Sequence, residues 1–99
     1  MLNKLDFIEE RYEELNKAIA DPEIINKQDQ WRELVIEHAE IEEIVVVYRS
    51  YKEALKGIED AQEMLEDGPD PEFRELLDIE IVELSEKKDR LEEKLKILL

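Results

Sequence analysis

Carboxylates dominate the reactive groups of this chain. It has 29 Asp and Glu against 14 Lys and Arg, one His and no Cys. Acid–base and metal chemistry would have to draw on carboxylates paired with each other or with His, and nucleophilic chemistry on a Ser beside a base. The Glu doublets at 9–10, 13–14, 42–43 and 92–93 read as solvated helix faces, since paired acids arise by number alone in a chain this acidic. A di-metal bundle needs Glu-x-x-His on two helices, and the single His38 cannot supply both. No Asp-rich calcium loop and no glycine-rich phosphate loop occurs. The absence of Cys removes disulfides, thiolate chemistry and zinc–thiolate sites. Ser50 has no His at a predictable distance, and a serine without a base is inert. His38 shares a stripe with Leu34 and Ile41, so it reads as a half-buried packing residue rather than a ligand or base. The expectation is no catalytic residue, no cofactor, no metal, and no enzyme in this chain.

The elements that carry these residues are helical. From about Leu2 to Ala20, the residues Leu2, Leu5, Ile8, Tyr12, Leu15 and Ile19 are spaced 3, 3, 4, 3 and 4 apart, one face of an α-helix. Asp21-Pro22 ends it, because the residue before Pro is pushed out of the α region. The same Asp-Pro-Glu also reads as cap and first turn of a short helical segment, with Ile24 and Ile25 placed to tuck it inward and Asn26 as the cap of a second, long helix to about Glu66. The stripe of that helix is Trp31, Leu34, His38, Ile41, Val45, Tyr48, Tyr51, Leu55, Ile58 and Leu65, with Gln62 in the gap. Gly57 inside it costs about 1 kcal/mol relative to Ala, which is consistent with a close approach of a neighbour. Asp67-Gly68-Pro69-Asp70-Pro71 is the clearest break, a Gly terminus followed by an Asp cap and Pro at the first helical position. The last helix, about Glu72 to Leu98, carries Phe73, Leu77, Ile81, Leu84, Lys88, Leu91, Leu95 and Leu98 at steps of 3 and 4, a heptad seam but for Lys88. Lys87, Lys88, Arg90, Lys94 and Lys96 gather toward its end, where cations suit the helix dipole.

These segments predict an all-α fold in one helical domain spanning residues 1–99. It is an antiparallel helical bundle, or coiled-coil hairpin of two long helices, with a docked N-terminal helix. The short loop favours antiparallel neighbours, and the dominance of local contacts favours fast folding. A continuous parallel coiled-coil dimer is the alternative, and the Pro/Gly break argues against it. The chain ends on Ile97-Leu98-Leu99 without a cap, which suggests a boundary drawn inside a longer protein.

The net charge of −15 disfavours DNA, RNA in general and anionic membranes as partners, and favours a basic protein. No apolar run reaches the roughly 18 residues of a membrane span, and the first residues lack a signal-peptide core, so a cytoplasmic location is expected. Three apolar residues stand out as candidate partner contacts. Phe7 lies off the first stripe and either covers a neighbouring helix end or meets a partner. Val46 and Val47, beside Val45, either face the first helix of the bundle or form a patch for another chain.

Several stretches carry a family resemblance. Leu5-Asp6-Phe7-Ile8-Glu9-Glu10-Arg11-Tyr12-Glu13-Glu14-Leu15, Asp21-Pro22-Glu23-Ile24-Ile25, Trp31-Arg32-Glu33-Leu34 and Tyr48-Arg49-Ser50-Tyr51-Lys52 are four of them. Ile58-Glu59-Asp60-Ala61-Gln62-Glu63-Met64-Leu65 and the closing Leu95-Lys96-Ile97-Leu98-Leu99 are the others. In that order and spacing they resemble the N-terminal helical domain of the bacterial peptide chain release factor 1 family, class I release factors, over essentially the whole chain. Ile24-Ile25 stand where the sister release factor 2 family usually shows an aromatic pair. The resemblance implies translation termination, with contact to the ribosome at a large-subunit stalk-base protein near the GTPase-associated centre. It also implies that stop-codon reading by a Pro-x-Thr loop and peptidyl-tRNA hydrolysis by a Gly-Gly-Gln loop lie elsewhere in the intact factor, since neither motif occurs here. Val46-Val47 depart from the charged residues expected in the family. A freestanding acidic helical adaptor, or a self-associating coiled coil, is the alternative reading. A tRNA-gripping arm like that of seryl-tRNA synthetases needs a basic hairpin, which this charge opposes.

Overall fold

Each stretch of apolar residues at spacings of 3 and 4 forms a helix, and the Pro and Gly positions separate them. The computed structural model describes all 99 residues, Met1–Leu99. It contains α1 (Leu2–Ile19), α2 (Pro22–Ile25), α3 (Gln28–Glu66) and α4 (Pro71–Leu98), and no strand. The fold is therefore all-α, with two long helices packing together. By its internal contacts the chain forms two compact units, Met1–Val46 and Val47–Leu99, and α3 contributes to both.

In the first unit, α1 buries Leu5 and Leu15 and half-buries Ile8, Tyr12 and Ile19, while Leu2 at the start of the helix stays exposed. The Asp21 side chain accepts from the Glu23 N–H at 3.0 Å with Pro22 at the first helical position, so the expected cap is in place. Asn26 is not the cap of the long helix. It closes α2 in right-handed helical geometry, its N–H bonded to Pro22 O and Ile24 O, and Lys27 O accepts the first bond of α3, from Trp31 N at 2.9 Å. The linker is one residue longer than the cap pattern suggested because Asn26 is spent satisfying the end of α2. Ile24 is half-buried as expected, but Ile25 is exposed.

In the second unit, the buried face of α3 runs through Val47, Tyr48, Tyr51, Ala54 and Ala61, with Ile58 and Leu65 half-buried; Leu55 and Gln62 are exposed. The expected stripe slipped by one residue at those two positions. The true face, Tyr51–Ala54–Ile58–Ala61–Leu65, keeps steps of 3 and 4, but two of its members are alanines, which carry too little apolar area to stand out. Small residues there let the neighbouring helix approach. A Cβ placed on Gly57 would sit 2.9 Å from Leu84 Cδ1 on α4. The turn between the helices has Gly68 at φ +68°, with its N–H bonded to Leu65 O at 3.2 Å, as at helix ends where a left-handed residue satisfies an orphan carbonyl. Asp70 then caps α4, accepting from Phe73 N at 2.9 Å. On α4, Leu77 and Leu95 are buried, and Ile81, Leu84, Lys88, Leu91 and Leu98 are half-buried. Phe73, expected on the seam, is exposed in the first turn of the helix. Lys88 keeps its stem on the seam and sends its ammonium outward to Asp89, 3.3 Å away.

Candidate interaction surface

Polar contacts fix α1 against the N-terminal half of α3. Arg11 Nε and Nη2 donate to Glu37 Oε2 and Oε1 at 2.6 and 2.8 Å, and Nη1 donates to Glu14 at 3.3 Å. This fork matches a planar guanidinium to a planar carboxylate, the strongest geometry for such a pair. The hydrogen bonds from Arg11 hold the Glu37 carboxyl below its ordinary range against the opposing effect of desolvation, and the same bonds push the guanidinium further above its own. Beside this pair, His38 Nε2 donates to Asn16 Oδ1 at 2.6 Å, and the imidazole stacks on Tyr12 with centroids 4.4 Å apart. Trp31 Nε1 donates to Ile19 O at 3.0 Å, satisfying a carbonyl at the end of α1. His38 is thus half-buried and held by two neighbours, as its place on the stripe implied.

The three apolar candidates fall out differently. Phe7 is 70% exposed and Val46 is 55% exposed, whereas Val47 is 5% exposed and belongs to the core of its unit. Adjacent helical residues point about 100° apart, and here that step turns Val47 to the core and Val46 to solvent. Beyond them, Tyr48 and Tyr51 lie with ring centroids 6.5 Å apart and the Lys52 ammonium sits 4.5 Å from the Tyr48 centroid, a cation–π arrangement. No group of three or more His, Asp and Glu side chains converges as a metal site requires, and no buried side-chain nitrogen or oxygen lacks a partner. No helix is long and apolar enough to cross a membrane. The surface offers apolar side chains among acids, which is chemistry for binding a partner.

One apolar face escaped the sequence reading. On α4, Leu76, Ile79 and Val82 are 59%, 50% and 57% exposed, and Ile79 and Val82 line a shallow depression of about 420 Å³ with Glu75, Asp78, Glu83 and Glu86. Reading one stripe per helix assigned α4 its inward seam and treated the rest as solvated. The signal was present: positions 75, 79, 82 and 86 step by 4, 3 and 4, a second seam with aliphatics at its middle and acids at its ends.

A family model described as the PCRF domain matches residues 8–99. The chain is 54% identical over 99 residues to a protein named peptide chain release factor 1 from Carboxydothermus hydrogenoformans, and 55% identical over 100 residues to the one so named from Alkaliphilus oremlandii. The protein of the same name from Clostridioides difficile is 44% identical over 99 residues. Each alignment covers 100% of this chain and 28% of the relative, so the chain spans a little over a quarter of the length of the curated relatives it matches. No solved structure matches it.

Proposed function

The chain belongs to the PCRF-domain family, and from that membership we propose that residues 1–99 are the accessory helical domain of a class I peptide chain release factor, acting in translation termination in the cytoplasm. The domain contacts the ribosome near the large-subunit stalk base. Stop-codon reading and peptidyl-tRNA hydrolysis belong to other parts of the intact factor. The observation that carries this reading is the alignment of the entire chain with proteins named peptide chain release factor 1. Charge supports the partner class: a surface at −15 is drawn to basic ribosomal protein and repelled by rRNA phosphate. The exposed Phe7 and Val46 are contact residues in this reading; the buried Val47 acts only through packing.

Two measurements test it. The reading frame beyond Leu99 in the source genome should run on through a Pro-x-Thr loop and a Gly-Gly-Gln loop; a frame lacking both turns the reading toward a freestanding acidic adaptor. The 99-residue chain should co-sediment weakly with ribosomes and release no peptide from a stalled complex, and Val46→Lys should weaken that co-sedimentation without lowering the melting temperature. Peptide release by the chain alone would overturn the assignment.

A further inference from the structure

The outer face of α4 has no covering element in this chain, although it is built like a helix-pairing seam. Its aliphatics Leu76, Ile79 and Val82 are each at least half exposed, and the depression that Ile79 and Val82 line is framed by Glu75, Asp78, Glu83 and Glu86. All six residues of that depression come from one helix, so it is the groove between side-chain ridges, the shape into which the ridge of a second helix fits. We infer that this face docks a basic amphipathic helix of another protein, whose aliphatic ridge covers Ile79 and Val82 while Lys and Arg on either side meet the four carboxylates.

Charge chooses the occupant. A second copy placed by a two-fold axis over Ile79 and Val82 would set the four carboxylates against their own counterparts, between molecules that each carry −15. Nucleic acid and anionic lipid are repelled by the same acids. A cationic helix gains from both parts of the face, burying apolar area at the centre and pairing charge at the rim, the arrangement of helix-in-groove recognition. The inference rests on α4 alone and holds whether or not the ribosomal reading is correct.

The probe is a synthetic helical peptide with Leu at its heptad a and d positions and Lys at e and g, followed by fluorescence anisotropy against the 99-residue chain. A scrambled peptide of identical composition controls for charge alone. The ordered peptide should bind roughly tenfold more tightly than the scramble, the size of effect expected of a central apolar anchor. Ile79→Ser and Val82→Lys should each abolish that advantage with unchanged circular dichroism, because both side chains face solvent. Glu75→Lys with Glu86→Lys should weaken binding of both peptides, and amide shifts on titration should centre on residues 75–86. Equal binding of the two peptides, or indifference to Ile79→Ser and Val82→Lys, would refute the inference. So would a dimer of the chain alone that Val82→Lys dissolves in sedimentation.

Discussion

Arg11 and Glu37 are 26 positions apart, yet they form a two-pronged ion pair, with hydrogen bonds of 2.6 and 2.8 Å. Both side chains are 38% exposed, so water screens the pair and its weight in stability is modest. Its pH dependence is nevertheless defined. The folded-state pKa of Glu37 is lowered, first by the Arg11 hydrogen bonds. The pair's contribution is therefore full above the ordinary carboxyl value of 4.5 and is lost as pH falls through the lower folded value. Arg11, raised from an already high value, stays charged throughout. Glu37→Gln should accordingly melt below the wild type at neutral pH, and the gap should close as the pH falls from the ordinary value of 4.5 through the lowered folded value. A gap that stays constant down to low pH would mean that Glu37 does not act through its charge. Nothing in the linear order pairs these residues. Arg11 reads as one more cation on an acidic helix until α1 is laid on α3.

The small residues of α3 decide how closely α4 can lie. Leu84 Cδ1 comes within 2.9 Å of where a Gly57 Cβ would be, so replacing Gly57 sets helix propensity against contact. Removing a mid-helix Gly gains about 1 kcal/mol, and Leu84 must swing its terminal methyl aside. Gly57→Ala alone should change stability by less than that gain, and in a Leu84→Ala background it should recover the full amount of about 1 kcal/mol. Urea melts of the four proteins in this cycle measure the coupling. An identical gain in both backgrounds would show that Leu84 does not crowd the site. The helix ends were legible because their chemistry is local: Asp21-Pro22 and Asp70-Pro71 cap as their residue types require, and Gly68 takes the positive φ that other residues avoid. The face of α3 beyond Tyr51 was legible only in part. Ala54 and Ala61 are buried while the larger Leu55 is not, and a stripe weighted by side-chain size steps onto the wrong neighbour.

For the molecule as a whole, charge is the largest single fact. With 29 acids against 14 bases, self-repulsion opposes the folded state, and salt screens it over a Debye length of about 10 Å at 0.1 M. The melting temperature should rise as NaCl is raised from low to moderate concentration, even though the exposed ion pairs weaken. A fall would mean that those pairs outweigh the repulsion. The same charge, read from composition alone, underlies the proposal of a basic protein as partner, and the order of short motifs along the chain was enough to point to the family that residues 8–99 match. Helix type, the caps at Asp21 and Asp70, the turn at Gly68 and the net charge were decided by the sequence itself, because each depends on composition or on a residue and its near neighbours. Tertiary structure alone decided which apolar residues became core and which stayed at the surface. Val47 went inside and Val46 stayed out; Ala54 was buried in place of Leu55; Leu76, Ile79 and Val82 were left bare on a helix with two seams. Periodicity reveals that a face exists, but whether it is covered depends on where another helix lies, and that is a property of the fold.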